Sequence, residues 1–204
     1  MTPIESLLTR SSLAGAFLGL PAPSAEQVRD ILGAAQRASD HGKLRPWRFF
    51  VLKPEHYGAF FDRLAQAAAR AQGDPARAVA QREKYTMHER APLIVVAAAK
   101  LQRGHKIHET EQMLAAGGAT QLVLNATHAL GFAAYLSSGK GVFDSSLKAD
   151  FGLTADDHLI GFICIGTPNV LNRGLDKLPE QIKEGLALTT TQWRGPGDTV
   201  PLDD

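Results

Sequence analysis

The chain contains one cysteine, Cys164, so it cannot form an internal disulfide, and this fits a reducing compartment. Excess charge is also missing: 22 Lys and Arg against 21 Asp and Glu leave a formal net charge of +1. That balance supplies no basic field for nucleic acid or an anionic membrane. No apolar run approaches the roughly 20 residues that span a bilayer. Leu93 to Ala99, one of the longest, is only strand-sized. The opening MTPIESLLTR lacks the basic-then-apolar order of a secretory signal, so a cytoplasmic location is expected. GxSxG, HExxH, P-loop and GxGxxG patterns are all missing, which argues against a Rossmann nicotinamide site.

What is present is globular. Hydrophobic residues make up 44% and charged residues 21% of 204 positions, enough for one domain with a core that needs no staples. The pattern predicts a short helix over Pro3 to Thr9, with Ile4, Leu7 and Leu8 on one face. Ser11 to Pro23 reads as loop, and Ser24 with Gln27 forms a capping box that opens a helix. Strands are expected at Trp47 to Leu52, Leu93 to Lys100, Phe132 to Ser137 and His158 to Gly166. Alanine-rich residues 55–72 and the stretch from about Thr110 to Leu130 are long helices. The centre of the second, Ala115 to Ala119, is nearly bare of side chain and allows another backbone to approach. Beyond Pro168 no periodicity is clear. Strands interleaved with helices indicate a single α/β or α+β layer structure.

Four local signals bear on chemistry. Arg10-Ser11-Ser12 combines a guanidinium fork, hydroxyls and amides, which can hold a phosphate, although such a pair more often just ends a helix. Arg37 to His41, running into Arg45-Pro46-Trp47, is a polar turn between a capped helix and a buried strand, a usual place for ligand contacts. Leu136-Ser137-Ser138 ends a strand in small residues that leave backbone groups accessible to a planar ligand. Gly166-Thr167-Pro168 closes the last strand and by itself indicates only a turn. His105 and His108 stand three apart beside Glu109 and Glu111, yet no further ligands follow at metal-site spacing, so no metal is expected. Cys164, within an apolar strand, reads as an inert thiol.

Taken in order, these signals resemble the nitroreductase family, in its short-chain NAD(P)H nitroreductase branch. LLTRSS resembles the branch's opening LL-x-x-RRS. PAPSAEQV followed by RASDHGKLRPWRFFV resembles PAP, a capped helix and RAPDH-x-x-x-QPWRFFV. GFAAYLSSG resembles GFGG-x-WRSG, and GFICIGTP resembles GFLYLGTP. The likeness runs from Ile4 to Pro168 as one domain over residues 1–170, leaving 171–204 as a C-terminal extension that can wrap a partner. It implies an α+β sandwich with a central, mainly antiparallel sheet wrapped by helices, and an intertwined homodimer with FMN at the subunit interface.

By the same resemblance, Arg10, Ser11 and Ser12 hold the FMN phosphate, and Arg37 and His41 reach the cofactor from the partner subunit. Leu136, Ser137 and Ser138 line the flavin. The implied activity is ping-pong hydride transfer from NADPH or NADH, through flavin N5, to a small-molecule acceptor such as a nitroaromatic or quinone. No side chain is assigned as catalytic, because the chemistry is the flavin's. Three positions depart from the pattern: Ser11 replaces an arginine, Arg45 a glutamine, and Leu136-Ser137 a Trp-Arg pair. Lys140, Arg173 and Lys177 are candidates to restore the lost charge. The Ser11 and Ser137 departures motivate a second reading, a non-catalytic flavin-storing dimer, and a cofactor-free structural protein is a third.

Overall fold

The computed structural model describes residues 2–169, 178–189, 191–195 and 198–201, in two compact units, 1–169 and 170–204. In the first unit, helix α1 (Pro3–Thr9) starts at Thr2, whose side chain accepts the Glu5 amide in a capping box. Strand β1 (Leu18–Gly19) lies within the stretch expected to be loop. Helix α2 (Ala25–Ala34) begins at Ser24 with the expected reciprocal bonds to Gln27. Strand β2 (Trp47–Leu52) precedes α3 (Tyr57–Arg70) and α4 (Ala78–Tyr85). Strand β3 (Leu93–Ala99), the long α5 (Glu109–Ala129), β4 (Ala133–Ser137), α6 (Ser145–Ala149) and β5 (His158–Pro168) complete the unit.

The sheet is antiparallel, as expected. β5 lies between β3 and β4, and β2 pairs the far edge of β3. β1 adds to the end of β5 through Leu18 opposite Pro168. Alternation along β3 sorts the core into two halves. Ile94, Val96 and Ala98 face an aromatic layer with Phe60, Phe61 and Phe162, covered by α3. Leu93, Val95, Ala97 and Ala99 face a slimmer layer with Ala115, Ala116, Ala119 and Val123 of α5. One irregularity interrupts β5, between the Ala97–Gly161 and Ala98–Leu159 pairs. Gly161 has φ +155°, and a Cβ there would stand 2.3 Å from the Ser137 carbonyl oxygen. Glycine therefore permits the close approach that seats the end of β4.

Two features go beyond the local sequence pattern. Ile4, Leu7 and Leu8 share a face of α1 but stay exposed, and it is Ser6 that is buried. The stripe was legible, but not what covers it. The C-terminal unit is also structured: α7 (Leu178–Thr189) is followed by a hairpin of β6 (Thr191–Gly195) and β7 (Asp198–Pro201). Arg173 and Lys177 lie outside the described residues. Among the described residues no helix is long and apolar enough to cross a membrane.

Candidate functional site

One group of the candidate residues lies along the outer edge of β4. After α1 the chain turns extended at Arg10 and runs beside β4 with Ser12 in a parallel bridge to Ala134. The Leu13 amide donates to the Ala134 carbonyl at 3.1 Å. That carbonyl therefore points away from β5. Because strand geometry repeats every two residues, the backbone groups of Leu136 point the same way, toward an edge that is unpaired among the described residues. Ser12 thus lies beside Ala134, two residues before Leu136 along β4. Arg10 and Ser11 are half-buried and Ser12 is exposed. The Ser137 side chain is buried, so what this strip offers at Leu136 is backbone rather than side chain. The Leu136 and Ser137 replacements leave that offer intact.

Arg37 and His41 occupy a different place. With Ser39 and Asp40 they line a groove of about 570 Å³ against Glu111, Leu114, Gly118 and Gln121 of α5. None of Arg10, Ser11, Ser12, Leu136, Ser137 or Ser138 lines it. Within one chain the structure therefore brings the predicted residues together as two groups, not one. The turn carrying His41 is held tightly. The Asp40 carboxylate accepts the Arg45 amide at 2.7 Å, and the Arg48 guanidinium donates to the carbonyls of Arg45 and Trp47. Gly42 has φ +73° and lies so close to Ile107 that a Cβ would sit 2.3 Å from its Cδ1. Lys43 and Arg45 also adopt left-handed backbone, with φ of 54° and 47°, a strained arrangement typical of ligand sites.

The polar groups sort by their surroundings. His41 Nδ1 lies 2.8 Å from Glu111 Oε2, and this hydrogen bond holds the Glu111 carboxyl below its ordinary value. Sequence reasoning considered Glu111 only as a companion of the histidine pair. Its true neighbour is 70 positions away, and no local spacing reveals it. The His108 Nδ1 accepts the Thr110 amide to cap α5, and the His105 Nδ1 accepts the Ile107 amide, so both serve the backbone. Burial pushes the Cys164 thiol up to about 12, which makes it inert, as expected from its strand. Burial also lowers the pKa of His88, which packs against the rings of Phe61, Tyr85, Tyr135 and Phe162.

Comparison with known proteins shows the family and the fold. The pattern described as "Nitroreductase family" matches residues 9–167. The chain is 35% identical over 170 residues to an Escherichia coli K12 protein named "Putative NAD(P)H nitroreductase YdjA", covering 83% of this chain and 90% of that one. Among solved structures it resembles a nitroreductase-like family protein from Bacillus cereus, with TM-score 0.71 and 16% identity over 85% of this chain and 89% of that one. It also resembles a nitroreductase with bound FMN from Desulfitobacterium hafniense, with TM-score 0.60 and 18% identity over 84% and 92% of the two chains. The fold is the same, the sequence likeness to the Escherichia coli protein spans most of both chains, and the chain belongs to the nitroreductase family.

Proposed function

We propose that the protein is an FMN-dependent oxidoreductase, acting as a cytoplasmic homodimer. It moves a hydride from NADPH or NADH to a small-molecule acceptor such as a nitroaromatic or a quinone. The observation that supports this reading is the edge of β4 at Leu136, unpaired among the described residues and two positions along from Ala134, which Ser12 bridges. The residues fit FMN. Arg10 makes no hydrogen bond or ion pair among the described residues, and its fork together with the Ser12 hydroxyl suits a terminal phosphate. The backbone donor and acceptor of Leu136 suit a flat, hydrogen-bonding ring system. FMN held there would supply the hydride-transfer chemistry.

The remaining work belongs to the chain. Arg10 and Ser12 anchor, and the β4 edge orients. Arg37, Arg45 and His41, contributed by the second subunit, place positive and hydrogen-bonding groups where electron density rises on reduction. Two further observations support the dimer. Ile4, Leu7 and Leu8 of α1 are 60%, 54% and 46% exposed, and Leu114 of α5 is 71% exposed. Exposed apolar side chains such as these suit an interaction surface. Beside Leu114, Gly117 and Gly118 are exposed, and a Cβ at either would meet nothing within 4 Å. They leave room for a second backbone to come close.

The test is the visible absorption spectrum of the purified protein, with FMN added if it is colourless, followed by anaerobic NADPH or NADH. An oxidised-flavin spectrum that bleaches with either nucleotide is expected. A bound spectrum that never bleaches would establish the flavin-storing alternative. Protein that takes up no FMN would overturn the proposal.

A further inference from the structure

We infer that Glu111 is a positioning residue: it fixes the ring of His41 so that a single nitrogen, Nε2, is presented to the cofactor. The inference rests on the reading above, in which His41 reaches bound FMN, and it adds a residue to that site. The observation is the 2.8 Å contact between His41 Nδ1 and Glu111 Oε2. An ionised carboxylate can only accept, so the hydrogen must lie on Nδ1. That assignment agrees with a Glu111 carboxyl held below its ordinary value, with His41 the main cause and His108 a smaller one. The neutral imidazole then has one tautomer, with the Nε2 lone pair free, and on protonation Nε2 becomes a charged donor in the same position.

The side chains of His41 and Glu111 are 68% and 48% exposed, but the backbone segments that carry them are both anchored. His41 rides on the turn clamped by Asp40 and Arg48. Glu111 lies in the first turn of α5, next to Gln112, a buried residue with three bonds of its own. Gln112 accepts the Gln102 amide at 2.8 Å and donates to the Gln102 and Ile107 carbonyls at 3.0 Å each. This pins the loop before α5 to the helix. Gly42 in turn packs directly on Ile107. The two carriers of the pair therefore touch through Gly42 and Ile107 as well as through the pair itself. A surface ion pair between flexible chains contributes little to stability, but one whose ends are both fixed can set the direction of a ring. Glu111 itself does not need to touch the cofactor.

Two readouts test the proposal, and the first needs no cofactor. In 15N-labelled protein the neutral form of the His41 ring should show a hydrogen fixed on Nδ1. His41→Gln identifies the signals. In Glu111→Ala the ring should average over both tautomers, and Glu111→Asp should recover part of the fixed signature. The second readout is FMN affinity, expected to fall roughly tenfold in Glu111→Ala, comparable to the effect of losing the partner behind an orienting histidine. A His41 signature identical in wild type and Glu111→Ala would overturn the positioning role. So would FMN affinities within about twofold of each other. Wild-type protein that takes up no FMN would instead bring down the flavin reading beneath it, whatever the His41 signals show.

Discussion

The two faces of the sheet differ in material. On one side Phe60, Phe61, Tyr85 and Phe162 interlock with ring centroids 5.0 to 6.2 Å apart, in edge and stacked contacts. On the other, α5 meets β3 through Ala115, Ala116, Ala119 and Val123. Aromatic rings bury much area each and close a face completely. Alanines bury little, so they bring a helix near the sheet and leave its outer surface bare. The groove with Arg37 and His41 lies on that thin side, against α5. One half of the core is filled with rings, while the other is slim where α5 meets the sheet.

The contrast can be broken most strongly on the aromatic side. Phe61→Ala empties a fully buried site and should cost about 3 to 5 kcal/mol of unfolding free energy, measured by chemical denaturation. The fraction that remains folded should keep its FMN affinity. The next largest effect falls on the β4 edge. Arg10→Ala removes a charged hydrogen-bond donor, an interaction of about 1.5 to 3 kcal/mol, so FMN should bind at least tenfold more weakly in a fluorescence titration. Stability should hardly change, since Arg10 has no partner within the described chain.

A smaller effect is expected at Asp144, on the rim of the aromatic side. Its carboxylate takes two bonds from Arg70, at 2.9 and 3.0 Å, and caps α6 through the Leu147 amide. Asp144→Ala should cost about 1 to 2 kcal/mol, the usual range for a lost cap. The Arg70 bond holds Asp144 below 3.8, its ordinary value. A depressed folded pKa means that the stabilisation is complete above 3.8 and disappears as pH falls through the lower folded value. Wild type and Asp144→Ala should therefore converge in stability only in acid below that point. The smallest effect on the single chain is Gly118→Glu. Glutamate is the better helix former by about 0.5 to 1 kcal/mol, and there is room for its Cβ. The same change should shift the protein from dimer to monomer in analytical ultracentrifugation, because it places a charge where the second subunit is proposed to pack.

Much of the fold was legible because local physics and tertiary need agree. Ser24 and Gln27 announce α2, the apolar runs Trp47 to Leu52 and Leu93 to Ala99 announce strands, and α5 ends within a residue of its expected boundary. Less of the site was legible. The motifs named Arg10, Ser12, Arg37, His41 and Leu136, but not that Ser12 lies in register with Ala134 or that Glu111 meets His41. A single bridge and a contact across 70 positions leave no periodic trace. The same holds for β1, whose two residues are too short to show an alternation.

By itself the sequence determined the helices with caps, the buried strands, the single inert thiol and the order of motifs that names the family. These depend on nearest neighbours along the chain, where hydrogen-bond capping and apolar period act directly. Only the tertiary structure decided which edge of β4 stays open, which residue holds His41, and that the apolar stripe of α1 faces outward. Those outcomes depend on what lies opposite each group once the sheet has closed, and the pairing of distant surfaces is not written in local spacing.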